Sequence, residues 1–250
     1  MEFMDDGVEV RLGGAPSHVR RRGNVVTRMA GPWTASVHAL LNHLQGAGLL
    51  VPEPFGVEAD REVLRFVLGD VPGEPYGDDV WSDDSLVAAG RLLRRIHDAT
   101  AGFELRRERW QLPTVEPREV MCHNDLAPYN TVFRDGVPVG AIDWDTASPG
   151  PRLRDIAYVA YRWVPLQSPG HGNGPVDPAE RVRRLELLLA SYGSEMAPAD
   201  IIAAALDRVR ELREFTAERL ELGDRTVTEH LSSYDADIAY LAGGGPLRRA

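Results

Sequence analysis

The stretch REVMCHNDLAPYNTVFRDGVPVGAIDWD, residues 118–145, holds the residues on which the fold and function of this chain most depend. Asp135-Gly136 is a strong signal for a two-residue hairpin turn, with alternating apolar residues on both sides. When the residues are counted outward from this turn, Asn130 comes opposite Ala141. The pattern therefore predicts a β-hairpin whose open end carries polar side chains.

Four polar residues are predicted to meet at that open end. Asn130 and Asp143 lie near the end of each predicted strand, and because a strand rises about 3.3 Å per residue, one metal ion can reach both. Asp125 lies five residues before Asn130, on the loop that enters the hairpin, and His123 lies on the same loop. The spacing thus predicts one cluster of polar groups.

Oxygen donors of this kind suit Mg²⁺, which keeps several waters and shares its shell with phosphates. A further carboxylate that does not bind the metal can orient a hydroxyl and accept its proton. Phosphoryl transfer needs this division of labour, since its loose transition state asks mainly for positioning and charge neutralisation. The alternative is a solvated turn in which Asp and Asn side chains cap backbone groups.

Composition excludes several other functions. The net charge of −10 argues against nucleic acid as the main partner. The chain has no lysine, so a Walker lysine and Schiff-base catalysis are impossible, and any side chain that holds phosphate must be an arginine. Cys122 is the single cysteine, which excludes an internal disulfide. No apolar run is long enough to span a membrane, and we expect a cytoplasmic protein with no membrane partner.

The elements predicted along the chain divide it into two parts. The first 70 residues contain short strands, a hairpin at Gly23-Asn24 and one helix over 34–48. A segment rich in Pro, Gly and Asp follows over 71–82, and beyond it the chain is mainly helical. Amphipathic helices are predicted there over 84–100, 151–164, 178–193, 198–222 and 226–243.

The motifs HNDLAPYN and AIDWD closely resemble the catalytic core of the aminoglycoside phosphotransferase family, small-molecule kinases with a protein-kinase-like fold. The resemblance implies an α+β, two-lobe fold, with a small β-rich nucleotide-binding N-lobe over 1–70 and a mainly helical catalytic and substrate-binding C-lobe over 71–250. It also implies ATP or GTP and Mg²⁺ as cofactors. The acceptor would be a hydroxylated small molecule, which is cationic in many members.

The resemblance assigns roles to residues of the cluster. It makes Asp125 the catalytic base and Asn130 and Asp143 the ligands of Mg²⁺, while His123 shapes the catalytic loop. Asp155, in RDIAYVA, matches a buried aspartate that anchors the loop from a following helix. A helix-capping aspartate is the alternative for Asp155.

The resemblance also locates the nucleotide. The loop GGAPS matches a phosphate loop, FVLGD matches the segment between the lobes where backbone contacts adenine, and an arginine replaces the phosphate-binding lysine of kinases. The nucleotide-binding residues implied are Gly13, Gly14, Ser17, Arg28, Arg65, Phe66 and Val67.

One departure from the kinase pattern leaves an alternative open. Residues 29–52 contain no Asp or Glu, so the following helix offers Arg28 no carboxylate partner, and Val37 stands where the glutamate is expected. The partner comes from elsewhere, or Arg28 relies on phosphate or on Asp143. The alternative function is therefore a nucleotide-binding pseudokinase or a very slow kinase. A metal-dependent hydrolase that uses His123 and the nearby aspartates is a more distant alternative.

Acidic residues are candidates for binding a cationic acceptor. Asp145 lies beside the predicted metal site. Four glutamates spaced three and four apart could form an acidic stripe on a later helix, but arginines interleave with them, so a self-paired solvated face is the favoured interpretation. These glutamates are Glu211, Glu214, Glu218 and Glu221.

Overall fold

The fold was determined as a computed structural model, which describes residues 9–12, 19–172 and 174–248. The N-terminal part forms a five-stranded antiparallel sheet in the order β1-β2-β3-β5-β4. One helix, α1 (Thr34–Gly46), connects β3 to β4. The strands are β1 (Val10–Arg11), β2 (Arg20–Arg22), β3 (Val25–Met29), β4 (Pro54–Glu58) and β5 (Arg61–Arg65).

The predicted turn at Gly23-Asn24 and the predicted helix are both confirmed. Gly23 has a φ of 56°, which a glycine adopts without strain, and β2 and β3 pair on either side of it. The helix buries Val37, Leu40 and Leu41, whose helical spacing places them on one face. Sequence reasoning missed β4, whose PFGVE sequence contains two strand-breaking residue types.

The C-terminal part consists mainly of helices, at the positions that the sequence predicts. Ser82 caps the first of them, because its hydroxyl accepts a hydrogen bond from the Ser85 N–H at 3.1 Å. The helices are α2 (Asp83–Thr100), α3 (Arg152–Trp163), α4 (Pro178–Tyr192), α5 (Pro198–Glu221) and α6 (Thr228–Ala242). Their apolar faces bury a core in which Trp144, Trp163 and Tyr161 are the largest uncharged side chains. An α+β chain with a β-rich first part and a helical second part is thus confirmed.

The predicted hairpin forms, but its register differs from simple counting. Strands β7 (Thr131–Arg134) and β8 (Val137–Ala141) pair with Arg134 opposite Val137, as expected. A β-bulge between Val132 and Phe133 then shifts the pairing, so that Thr131, rather than Asn130, lies opposite Ala141. The bulge coincides with a tertiary contact that the hairpin sequence does not show: Phe133 exchanges backbone hydrogen bonds with Asp70 at 2.7 and 2.9 Å.

Backbone contacts fix this hairpin against the N-terminal part of the chain. The Ala141 N–H donates to the Leu50 carbonyl at 3.1 Å, and Leu50 pairs with Gly140. A Cβ at position 140 would lie 2.5 Å from that carbonyl oxygen, so only glycine permits the approach. Two further short strands, β6 (Val120–Cys122) and β9 (Ser148–Gly150), pair with each other and bracket the motif region.

No helix among the described residues is long and apolar enough to cross a membrane. The division of the chain at residue 70 and the cytoplasmic location remain predictions.

Candidate active site

The carboxylate of Asp125 lies at the centre of a hydrogen-bond network. Its Oδ2 accepts from Asn130 Nδ2 at 2.9 Å, and its Oδ1 accepts from the hydroxyls of Tyr129, at 2.8 Å, and Tyr158. Burial raises the pKa of Asp125, and the hydrogen bonds from Tyr158 and Tyr129 oppose this effect without cancelling it. The side chain is therefore held in one orientation and binds a proton more readily than an exposed aspartate.

Asp155 holds the loop that carries this carboxylate. It is fully buried on α3, and its two oxygens accept hydrogen bonds from the backbone N–H groups of His123 and Asn124, both at 2.8 Å. His97 Nε2 lies 3.1 Å from Oδ2. Burial alone would raise the pKa of Asp155, but the hydrogen bonds from His97 and the His123 backbone lower it below the usual value. The carboxylate therefore stays ionised and fixes two successive peptide groups.

His123 shapes the loop through both ring nitrogens. Nδ1 accepts the Asp125 N–H at 3.3 Å, so the Nε2–H donates to the Ile142 carbonyl at 3.0 Å. The ring is fully buried and lies 4.5 Å, centroid to centroid, from Trp144. With both nitrogens occupied, His123 offers no lone pair to a metal ion. This geometry disfavours a metal-dependent hydrolase that uses His123 as a ligand.

Asn130 and Asp143 provide oxygen donors that fit Mg²⁺. Asn130 Nδ2 donates to the backbone carbonyl and to Oδ2 of Asp125, which leaves its Oδ1 free of hydrogen bonds to described residues. The Ile142 N–H donates to the Asn130 carbonyl at 2.9 Å, so the next residue, Asp143, begins directly beside Asn130. Asp143 is half-exposed and has a φ of 62°, a conformation that aspartate tolerates better than most residues. A hard cation that keeps several waters suits this pair of donors.

Arg28, on β3, reaches the same site from the N-terminal sheet. Its Nη1 donates to Asp143 Oδ1 at 2.5 Å and its Nη2 to Asp145 Oδ1 at 2.6 Å, while its Nε donates to Glu62. Burial alone would lower the pKa of Arg28, but the three carboxylates raise it above its usual value. Arg28 therefore remains charged beside Asp143.

Glu62 supplies the carboxylate partner that the following helix lacks. It lies on β5 directly across from Arg28 on β3, so the two side chains share one face of the sheet. Its second oxygen lies 2.9 Å from His38 Nε2, and His38 belongs to α1. The structure thus contains an Arg28–Glu62–His38 chain in which the carboxylate comes from strand β5 and the helix α1 contributes a histidine. Sequence reasoning missed Glu62 because the β3–β5 pairing joins residues 34 positions apart.

The structure places Asp145 against Arg28, and it does not line the cavity described below. Burial raises the pKa of Asp145 to about 6, although the charge of Arg28 opposes the rise. The ion pair with Arg28 holds this carboxylate close to Asp143, which pairs with the same guanidinium. Its predicted contact with the acceptor has no support from this geometry.

Backbone hydrogen bonds tie the end of β5 and the residue after it to neighbouring segments of the N-terminal part. The Phe66 N–H donates to the Asn24 carbonyl at 2.7 Å, and the Arg65 N–H donates to the Glu53 carbonyl at 2.8 Å. No hydrogen bond joins the Val67 backbone to another described residue, and the contact of Arg65, Phe66 and Val67 with a nucleotide stays a prediction. Arg21 lies 3.5 Å above the Phe66 ring. Three of the nucleotide-binding residues implied by the resemblance, Gly13, Gly14 and Ser17, lie outside the described residues.

A cavity of about 560 Å³ opens beside Asp125. Its walls come from the catalytic loop, from α3, α5 and α6, and from the segment around residues 112–115. Three of the four glutamates of the predicted acidic stripe, at positions 211, 214 and 218, line it. Sequence reasoning missed Tyr129 and Tyr158, which line the cavity and bind Asp125. Tyr129 stands inside the HNDLAPYN motif, whereas Tyr158 reaches the site only through the packing of α3.

Comparisons with known proteins place this geometry in a family. The profile described as "Phosphotransferase enzyme family" (APH) matches residues 32–118 and 101–174. A trifolitoxin immunity protein from Rhizobium leguminosarum bv. trifolii is 36% identical over a 198-residue alignment, and the match covers 72% of this chain and 72% of the relative.

Solved structures share the fold at low sequence identity. A choline/ethanolamine kinase family protein from Mesorhizobium loti has a TM-score of 0.67 at 19% identity, covering 95% of this chain and 87% of its own. An amicoumacin kinase in complex with AMP-PNP, Ca²⁺ and its ligand has a TM-score of 0.70 at 15% identity, covering 95% and 89%. These matches confirm the expected kinase-like fold, and the profile confirms the expected enzyme class. The chain therefore belongs to the phosphotransferase enzyme family, the aminoglycoside phosphotransferase family that its motifs resemble.

Proposed function

We propose that this protein transfers the terminal phosphoryl group of ATP or GTP to a hydroxyl group of a small molecule, with Asp125 as the catalytic base. The observation that carries the proposal is the position of the Asp125 carboxylate. It is tied to Asn130 on one side, held by two tyrosine hydroxyls on the other, and borders a cavity large enough for a small molecule.

Asp125 would orient the acceptor hydroxyl and take its proton as phosphorus is attacked. Asn130 occupies one oxygen and the tyrosines occupy the other, so the carboxylate cannot rotate away from the hydroxyl. The raised pKa of Asp125 also makes it a stronger base than an exposed aspartate.

The oxygens of Asn130 and Asp143 would hold Mg²⁺, which, when bound, neutralises charge on the nucleotide phosphates. Arg28 would hold the phosphates themselves, by turning its Nη groups from Asp143 and Asp145 while Glu62 keeps its Nε. A guanidinium fork anchored at one nitrogen is well suited to bind phosphate oxygens with the other two.

The pseudokinase alternative depends on an Arg28 that has no carboxylate partner. The ion pair between Arg28 and Glu62 therefore weakens this alternative. Glu62 is 1% exposed and also meets His38, so the arginine has a fixed carboxylate of the kind that active kinases use. We therefore favour an active enzyme over a pseudokinase.

The comparisons support an acceptor of the antibiotic or toxin type. The relative from Rhizobium leguminosarum bv. trifolii is an immunity protein, and solved structures of similar fold contain amicoumacin, gentamicin or spectinomycin. We propose that phosphorylation of such a compound protects the producing or exposed cell.

Calorimetric titration with ATP and GTP, each with and without Mg²⁺, tests the proposal. We expect binding of one nucleotide that depends on Mg²⁺ and that is lost in Asp143→Ala. Binding without turnover of any hydroxylated acceptor would favour the pseudokinase. Failure of both nucleotides to bind would refute the proposed function.

A further inference from the structure

Aromatic and apolar side chains form much of the cavity beside Asp125. Four aromatic rings face it from three helical elements and the catalytic loop, and several aliphatic side chains complete the wall. The rings are Tyr129, Tyr158, Phe215 and Tyr234, and the aliphatic residues include Leu112, Val115, Leu212 and Val227. Surfaces of this kind bind a ligand with a substantial apolar body.

The protein's own arginines already lie near three of these rings. The guanidinium carbon of Arg162 lies 5.1 Å from the Tyr129 ring centroid, and that of Arg208 lies 5.5 Å from the Tyr158 ring. Arg219 lies 5.9 Å from Phe215. A ligand ammonium group would gain most from these ring faces, but at Tyr158 and Phe215 it would meet the positive charge of an arginine that itself lines the cavity.

The acidic groups of the wall are also compensated. Glu211 Oε2 lies 2.5 Å from Arg154 Nη1 and 3.2 Å from Arg208 Nη1, so the deepest glutamate of the predicted stripe has two cationic partners. Glu214 and Glu218 are exposed, as is Arg219, which also pairs with Asp224, so water and salt screen all three charges. The cavity therefore lacks the concentrated negative potential that would select a polycation.

We infer that the acceptor of this enzyme is a hydroxylated molecule with a neutral apolar or aromatic body, rather than a polycationic aminoglycoside. This inference rests on the proposed function and specifies the substrate class of the same cavity. It differs from the expectation that the family resemblance supports, because the resemblance does not show where the arginines of α3 and α5 lie.

The test compares probes that differ in charge. Phenyl β-D-glucopyranoside is neutral, its 4-aminomethyl derivative carries one positive charge on the same body, and kanamycin is a polycation. Calorimetry measures the affinity of each for the protein with Mg²⁺ and AMP-PNP present, and ADP release measures transfer when ATP replaces the analogue. We expect the neutral glucoside to bind about tenfold or more tightly than the charged derivative, a difference of about 1.4 kcal/mol.

Two variants on α5 locate the binding. Arg219→Gln removes the guanidinium near the ring of Phe215. We therefore expect the charged derivative to bind more tightly, so that the difference in affinity between the two glucosides becomes smaller. Arg210→Gln is the matched control, because Arg210 is exposed, pairs with Asp207 on the same helix and does not line the cavity. The difference in affinity between the two glucosides should be unchanged in Arg210→Gln.

Tighter binding of kanamycin or of the charged derivative would overturn the inference, and so would a failure of the neutral glucoside to bind. An unchanged difference in affinity in Arg219→Gln would show that Arg219 does not cause the preference for the neutral ligand. Mg²⁺-dependent nucleotide binding is measured separately from these affinities. If the nucleotide binds but the charged probes bind more tightly, the inference about the acceptor fails and the proposed function stands.

Discussion

The substitution Glu62→Gln tests how Arg28 is held in place. Glutamine keeps the volume of the side chain but removes the charge that meets Arg28 Nε on one oxygen and His38 on the other. Losing one partner of a buried ion pair outright costs about 3–5 kcal/mol. Here Arg28 retains Asp143 and Asp145, and the amide oxygen can still accept a hydrogen bond. We therefore expect a smaller loss of about 1.5–2 kcal/mol, which is near the lower end for hydrogen bonds to charged groups.

We expect the lost interaction free energy to lower mainly the affinity for the nucleotide. When phosphates draw the Nη groups of Arg28 away from the aspartates, Glu62 is the carboxylate that still orients the guanidinium. In the free protein the two aspartates compensate for the lost carboxylate, whereas in the nucleotide complex they do not, so most of this free energy should appear in the Kd for the Mg²⁺ nucleotide, as an increase of about 10- to 30-fold. Calorimetry measures this Kd, and the KM for the acceptor should stay near the wild-type value because Glu62 does not line the acceptor cavity.

The matched control is Glu58→Gln, which makes the same chemical change on the neighbouring strand β4. Glu58 is exposed, so nucleotide affinity should not change. Removing a negative charge near the triphosphate would by itself favour binding. Tighter or unchanged nucleotide binding in Glu62→Gln would therefore refute the reasoning, since Glu62 would then compete with the phosphates rather than orient Arg28.

Three further outcomes are expected. Asp125→Ala should lower phosphoryl transfer by roughly 10²–10⁴ while nucleotide affinity is retained, and a near-normal rate would show that Asp125 is not the base. Asp143→Ala should abolish the Mg²⁺ dependence of nucleotide binding in calorimetry, and full activity in this variant would exclude Asp143 as a metal ligand. Asp155→Asn should lower the free energy of unfolding at neutral pH by about 2–3 kcal/mol, because the carboxylate accepts two backbone N–H groups and faces His97. Since the folded-state pKa of Asp155 is lowered, its contribution is present above about pH 4 and is lost as the pH falls through the folded-state pKa. Denaturant titrations at several pH values should therefore show wild type and Asp155→Asn converging at acid pH, and a constant gap would contradict this assignment.

Some features of the β7–β8 hairpin could be predicted from the local sequence, and others could not. The Asp135-Gly136 turn and the pairing of Arg134 with Val137 follow from turn chemistry, which acts between neighbouring residues. The bulge at Val132 and Phe133 did not follow, because a backbone contact with Asp70 lies outside the hairpin. The open end nevertheless brings Asn130 and Asp143 together, since the Ile142 N–H bonds the Asn130 carbonyl despite the shifted register.

The carboxylate partner of Arg28 could not be predicted from the sequence, for a different reason. The absence of Asp and Glu from residues 29–52 is evident in the sequence and correctly excludes α1 as the source of a carboxylate. The position of Glu62 depends on strand order, which places β5 beside β3, and no local signal specifies that order. The same applies to Tyr158, which the helical spacing of α3 presents as an ordinary core residue.

The sequence by itself determined the family, the α+β architecture, most helix positions and the polar residues of the catalytic loop, because these depend on motif spacing, turn chemistry and apolar periodicity. Only the tertiary structure decided the Glu62–Arg28 pair, the two tyrosines on Asp125, the position of Asp145 and the arginines beside the aromatic rings of the cavity. The physical reason is that each of these contacts joins side chains from different elements. Which side chains meet is fixed by how sheets and helices pack, and that packing depends on the whole chain.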